Sequence, residues 1–309
     1  MLNKPMDILE QFPIRKTKQQ KLAFREAVVA YAREKGYAVT VEAGKRGVNN
    51  IVIGDPEKAK YLVTAHYDTP ASIGLPNFIT PNNPVTYFLI QFFLVGILLA
   101  ISVGAAWGVY LLTGVDELML LSWYIVYFGL LLLMLMGPAN RSNANDNTSG
   151  VVTVLEIMGT IPENLRDRVC FVLFDLEERG LVGSAVYRKS HKAATETQIV
   201  LNLDCVGDGD VIQLTPIKKA KKDPQILEQL SGICVCVGKK ELRLRAKGFT
   251  AGSSDHKNFP YGVGLMAFRY KKGIGLYCGR IHTWRDTVLE YTNVNLLRAA
   301  LISLISQHN

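Results

Sequence analysis

The chain has 309 residues, a formal net charge of +8 and five cysteines. Those cysteines (Cys170, Cys205, Cys234, Cys236 and Cys278) lack zinc-finger spacing and leave one odd if paired, which argues against a cysteine-held metal and a disulfide framework and favours a reducing compartment. The start of the chain shows no apolar core of signal-peptide length, and about 250 residues outside a hydrophobic insert suffice for one globular domain.

In chain order, Lys16–Lys35 reads as an amphipathic helix with Leu22, Phe24, Val28, Val29 and Tyr31 on its apolar side and Gly36 as its stop. Short strands are expected at Ala38–Val41 and Asn50–Ile53. A stronger one at Tyr61–Ala65 leads into His66 and Asp68. After the insert, Thr148–Met158 reads as a helix entered through a polar segment, and Arg168–Phe174 as a strand buried on both faces. Asp175, Glu177 and Glu178 follow that strand. A helix over Gly183–Ser190 and a buried strand over Ile199–Leu203, ending at Asp204, come next. Val211–Leu214 is expected to pair with that strand. Asp223–Gly232 reads as a helix, Val263–Tyr270 as a strand, and Thr292–Ser306 as a closing helix capped by Thr292. Strands alternating with helices predict an α/β domain, a mixed central β-sheet flanked by helices.

The insert is an expected transmembrane hairpin. Twenty-nine uncharged residues run from Val85 to Thr113, and no charge occurs from Leu118 to Asn140. Both runs reach the roughly 20 residues a spanning helix needs. A short turn, Gly114–Glu117, carries the only charges between Val85 and Pro138, Asp116 and Glu117, so the rest of the chain holds +10. The expected division is a discontinuous catalytic domain, 1–71 and 144–309, around an insert, 72–143, with helices near 85–113 and 118–137. The basic remainder points to an anionic membrane surface rather than to nucleic acid, and places the catalytic domain in the cytoplasm with the turn outside. The segment before the first helix could serve as a spacer. The return link, Ala139–Asn145, spans at most roughly 25 Å, which would hold the site close to the lipid.

Taken singly, His66-x-Asp68, Asp146 in its Asn-rich loop, the Glu177–Glu178 pair, Asp204 and His282 are ordinary features. Together they put two imidazoles and several carboxylates at the ends of strands in one sheet, where ligands of α/β proteins gather. Such a donor set suits zinc, and a pair of metals about 3.5–4 Å apart could share one carboxylate.

The ordered motifs Thr64-Ala-His66-Tyr-Asp68, Asn145-Asp146-Asn147-Thr-Ser-Gly150, Asp175-Leu-Glu177-Glu178-Arg-Gly180, Leu203-Asp204 and Ile281-His282-Thr283-x-x-Asp286-Thr287 resemble the co-catalytic zinc peptidases that include bacterial leucyl aminopeptidase, glutamate carboxypeptidase and glutaminyl cyclase. The stretch Gly252-Ser-Ser254-Asp255-His256-x-x-Phe259 is similar to that family's substrate-side loop. The resemblance runs from about Tyr61 to the C-terminus, outside the insert. It implies the zinc exopeptidase fold and two zinc ions, with Asp146 bridging. His66 and Asp204 would complete one metal site, Glu178 and His282 the other. Glu177 would be the general base, and Asp68 would hold His66 in its ligating tautomer. Asp255 and His256 would border the substrate pocket. Asn147 stands where many members have a second Asp, which leaves metal binding intact.

The expected function is a membrane-anchored, zinc-dependent aminopeptidase. Alternatives are a carboxypeptidase using Arg269, Lys271, Arg280 or Arg285 to hold a carboxylate, a glutaminyl cyclase-like transferase, and an inactive scaffold. The expected partners are short peptides and a lipid bilayer, with the hairpin as the surface for any homo-oligomer.

Overall fold

A computed structural model describes residues 2–307 apart from 73, 76, 77 and 253. Ser253, inside the expected substrate-side loop, lies outside the described residues. The strands are β1 (Val39–Ala43), β2 (Asn49–Ile53), β3 (Tyr61–His66), β4 (Val169–Phe174), β5 (Ile199–Leu203), β6 (Val211–Pro216), β7 (Val235–Val237), β8 (Lys240–Leu244), β9 (Gly262–Lys271) and β10 (Gly275–Tyr277). They form one mixed sheet in the order β1-β2-β4-β3-β5-β9-β6-β8-β7, with β10 on β9. The central strands β4, β3, β5 and β9 are parallel and almost wholly apolar, as strands covered on both faces must be. Their register pairs His66 with Phe174 and Thr64 with Asn202. The residues just beyond these strand ends therefore emerge side by side: His66 and Asp68, Glu177 and Glu178, and Asp204.

Helix α1 (Lys18–Glu34) starts at Thr17, whose side chain accepts from the Gln20 backbone while Gln20 reaches back to the Thr17 N–H. Phe24, Val28 and Tyr31 are buried beneath it, but Leu22 is 48% exposed and lies off the apolar face. The hairpin helices are α2 (Pro84–Thr113) and α3 (Asp116–Met136). Helix α4 (Gly150–Thr160) begins after the irregular Ala144–Ser149 turn, later than its sequence suggests, and packs on β3 and β5. Helices α5 (Val182–Ser190) and α6 (Pro224–Gly232) follow, the latter capped by Asp223. The closing helix α7 (Tyr291–Ser306) starts after Glu290, so Thr292 is inside it rather than at its cap. Strand β6 pairs with β9 and β8 and not with β5, because β9 fills the place beside β5. Cys170, Cys205 and Cys278 are buried, Cys236 is exposed, and the five cysteines are free thiols.

Helices α2 and α3 pack against each other and stand clear of the sheet. Leu98, Ser102 and Ala106 are the buried residues of α2, and α3 has none. The Ser102 hydroxyl is satisfied within the helix by the Leu98 carbonyl at 2.7 Å. Gly114 ends α2 in the left-handed conformation (φ +65°), which a side chain would resist. Both helices are long and apolar enough to cross a membrane.

The hairpin is tied to the domain by a neck. Ser72 N–H donates to the Pro138 carbonyl at 2.8 Å, and Asn140 N–H to the Pro70 carbonyl at 3.0 Å. Residues 78–83, just ahead of α2, are not a slack spacer. Ile79 exchanges backbone hydrogen bonds with Cys278 at 2.8 and 2.9 Å, Phe78 stacks on Tyr277, and Asn82 donates to Gln213 at 3.0 Å. Residues 78–83 thus form a strap across β9, β10 and β6.

Candidate metal centre

The five expected ligands converge at the parallel strand ends. His66 Nε2 lies 3.3 Å from Asp146 Oδ1 and 3.6 Å from Asp204 Oδ1. His282 Nε2 lies 3.0 Å from Asp146 Oδ2 and 3.6 Å from Glu178 Oε2. The two oxygens of Asp146 therefore face opposite partners, one toward His66 and Asp204, the other toward His282 and Glu178. That is the disposition a carboxylate shared between two cations requires. Donor atoms of His66, Glu177 and Asp204 also fall within 4.8 Å of one another, which places Glu177 beside the first half-site.

The surroundings fix these donors. His66 Nδ1 is 3.1 Å from the Asp68 carbonyl oxygen, so the proton sits there and Nε2 is left to bind. The Asp68 carboxylate, 3.6 Å from His66 Nδ1, mainly accepts the backbone N–H groups of Glu177 and Glu178 at 3.0 and 3.2 Å. Its larger effect is to aim the two glutamates. Asn147 donates to the Leu203 carbonyl and accepts from Gly150 and Cys205, clamping the Asp146 loop to the end of β5. Leu176, Cys205 and His282 hold left-handed backbone (φ +58°, +55° and +59°). Such conformations cost energy for residues with side chains and cluster at functional sites.

Two contributors went unread in the sequence. Asp286, quoted there without a role, accepts the backbone N–H groups of Asn145 and Asp146 at 2.8 and 2.9 Å. Arg15 is fully buried and donates to the carbonyls of Tyr67 and Phe12 and to the Thr148 hydroxyl. It joins the strand carrying His66 to the loop carrying Asp146. Burial lowers its pKa to about 10 against the charges of Asp68 and Asp146, which leaves it a cation at neutral pH.

The electrostatics fit a cation. Burial, opposed by His282 and reinforced by Asp146, pushes Glu178 up to about 8. Burial, offset in part by His66 and reinforced by Glu178 and Asp204, raises Glu177 well above the carboxylate range. Burial resists charge on the imidazoles, yet the carboxylates around them raise His66 well above its ordinary value and His282 to about 9. Glu178 Oε1 and Asp204 Oδ1 are buried without a hydrogen-bond partner among the described residues. Unpaired buried oxygens and crowded carboxylates are costly unless a positive charge joins them. Zinc accepts both carboxylate oxygen and imidazole nitrogen.

A cavity of about 270 Å³ opens over this cluster. Its wall includes Glu177, His256, Met266 and Phe268, and no Lys or Arg among the described residues. His256 borders it as a neutral ring, since burial and nearby Lys257 bring its pKa down to about 4. Asp255 does not line it: it is fully buried, neither oxygen has a well-formed hydrogen bond among the described residues, and burial pushes it up to about 7 against the pull of His66. Arg269 and Arg280 are turned to Asp208, at 2.5 and 3.7 Å.

Residues 132–303 match the family described as Peptidase family M28, a span that holds Asp146, Glu177, Glu178, Asp204 and His282 and stops short of His66. No curated protein matches the chain. Among solved structures, the chain is similar to the LapA aminopeptidase of Legionella pneumophila at 15% identity, over 99% of this chain and 68% of that one, with TM-score 0.56. It is similar to the glutaminyl cyclase of Bacteroides thetaiotaomicron at 14% identity, over 99% and 97%, with TM-score 0.59. The glutaminyl cyclase of Porphyromonas gingivalis matches at 17% identity, over 97% and 94%, with TM-score 0.56. At such identities the shared property is the fold, whereas the family match spans more than half of the sequence: the chain belongs to peptidase family M28.

Proposed function

We propose that this protein is a membrane-anchored aminopeptidase that holds two zinc ions and removes N-terminal residues from short peptides. The observation that carries the reading is Asp146, whose two oxygens each face one His–carboxylate pair. His66 and Asp204 would hold one ion, His282 and Glu178 the other, and Asp146 both. Zinc bound there would polarise the scissile carbonyl and make water a stronger acid. Glu177, recessed beside the first half-site, takes the proton of the attacking water and passes it to the leaving amine. The acidic cavity attracts a free amino terminus. The lack of Lys or Arg in the described wall, with Arg269 and Arg280 engaged by Asp208, counts against a carboxypeptidase, which needs a cation near the scissile bond. A full set of five donors favours hydrolysis over cyclase chemistry that uses a single zinc.

The test is metal analysis of the purified protein together with cleavage of free, N-blocked and C-blocked peptides. Two zinc ions per chain and cleavage that requires a free N-terminus are expected. Release of C-terminal residues from N-blocked peptides would establish a carboxypeptidase instead, and conversion of N-terminal Gln to pyroglutamate without peptide cleavage a cyclase.

The membrane reading rests on the two exposed apolar helices and the basic remainder of the chain. We place the catalytic domain, 1–71 and 144–309, on the cytoplasmic side and the Gly114–Glu117 turn on the other. A Cys introduced into that turn should react with an impermeant thiol reagent on intact cells, and the opposite labelling pattern would reverse the orientation.

A further inference from the structure

A second cavity, of about 380 Å³, adjoins the acidic one at the foot of the hairpin. Ile79, Ala251 and Gly252 line both, so the strap and one loop form a border common to the two cavities. The rest of its lining includes Tyr87 and Gln91 from the first turns of α2, Phe249 and Lys257. The Phe249 ring lies 5.8 Å from Tyr87 and 6.0 Å from Phe88, forming an aromatic platform between loop and helix.

Two polar groups there have no task in the fold. Gln91 is the single amide side chain in α2 and has no hydrogen-bond partner among the described residues. An amide in such a helix is expensive unless something bonds to it. Lys257 faces the cavity with no acidic partner among the described residues, and Lys218 donates to its carbonyl, bringing a second ammonium group close. The side chains that line the two cavities thus differ in charge. The metal-centre cavity is lined by Asp146, Glu177, Glu178 and Asp204, the second by a lysine and, among the described residues, no acid.

We propose that the second cavity binds the carboxyl-terminal part of a short peptide whose amino terminus lies at the metal centre. Lys257 receives the terminal carboxylate, the Tyr87–Phe249 platform takes an apolar side chain, and Gln91 bonds to the peptide backbone. A zwitterionic peptide fits in one direction only. This rests on the aminopeptidase reading and adds to it a ruler: the separation of the two charges selects peptide length, and part of the ruler is built from the hairpin.

The experiment uses the full chain in lipid nanodiscs and alanine-based peptides of two to six residues ending in Leu, as free acids and as C-terminal amides. Two readouts run in parallel: kcat/KM for N-terminal release, and displacement of a fluorescent free-acid peptide. At the favoured length, the free acid should outperform the amide by about tenfold, the size of one charge-assisted contact. Lys257→Gln should bring that ratio close to one, and Lys257→Arg should restore it. Phe249→Ala should weaken the preference for a terminal Leu over a terminal Gly. A wild-type ratio near one at every length, or an unchanged ratio in Lys257→Gln, overturns the proposal. So does displacement of the probe by anionic lipid vesicles but not by free-acid peptides. If no peptide loses its N-terminal residue, the aminopeptidase reading fails, and the displacement ratios still decide whether the subsite exists.

Discussion

In the hairpin, Phe92, Leu112 and Ile125 point outward at 71%, 88% and 63% exposure, while Ser102 and Ala106 are buried and the Ser102 hydroxyl is satisfied within its helix. At the sheet edge the arrangement is reversed: His66, Asp146 and Asp255 are buried, with aliphatic strands behind them. Large contiguous apolar surfaces are rare on proteins that live in water, and unpaired buried carboxylates are rare anywhere. On the function proposed above, each region is completed by something that is not polypeptide, an apolar medium for one and cations for the other.

The comparison can be broken most sharply at its charged end. If the carboxylates are divided between holding cations and moving a proton, Glu177→Gln should keep its zinc and lose roughly 10²–10⁴-fold in turnover. Glu178→Gln should lose zinc by elemental analysis. Equal zinc loss in both variants would erase that division of labour.

The apolar end has its own test. Ile125→Arg on the exposed face of α3 should cost about 3 kcal/mol of insertion if that face meets lipid, read as the fraction of chain resisting alkaline extraction from membranes. In water the same change would fall within about 0.5 kcal/mol. An unaffected membrane fraction would remove the lipid from the comparison.

Asp286 probes how the charged region is held. Its contacts are to backbone N–H groups of the Asp146 loop, so Asp286→Ala should weaken zinc affinity by about 10–100-fold, measured by competition with a chelator. Unchanged affinity would mean that Asn147 and Arg15 hold the loop without it.

The smallest effect is a control. His191 lies 2.6 Å from Glu57 and 2.9 Å from Glu42, the same residue types as at the metal centre but near the surface. Burial opposes its charge, yet Glu57 and Glu42 raise its pKa. A raised folded-state value means that the stabilisation is complete below the unfolded pKa of about 6.5 and is lost as pH rises through the folded value. With its partners partly in water, the gain should stay under about 1 kcal/mol. Thermal unfolding of His191→Gln should therefore differ from the wild type at pH 5.5 and approach it at pH 9.

Much of this was legible from residues. Continuous apolar runs marked β4 and β5, and acids and histidines placed just past strand ends had to emerge together once the strands were parallel. The hairpin was legible because roughly twenty uncharged residues admit few other readings. What stayed hidden was long-range. Arg15 reads as an ordinary basic residue before α1, and its partner Thr148 lies 133 residues away. Asp286 meets its loop across about 140 residues. The pairing of β6 with β9 depends on a strand that arrives some fifty residues later, and the strap at 78–83 carries no periodic pattern, since single contacts to Cys278, Tyr277 and Gln213 hold it.

The neck that closes the hairpin, Pro70–Ser72 against Pro138–Asn140, also sets an order of events in biosynthesis. A ribosome delivers His66 first, then both apolar helices, and only afterwards Asp146, Glu178, Asp204 and His282. One proposed ligand is made before the hairpin and four after it. If the hairpin enters a bilayer as proposed, a chain still being threaded holds one imidazole and none of its four partners, so the proposed metal centre can be assembled only after the hairpin has been made.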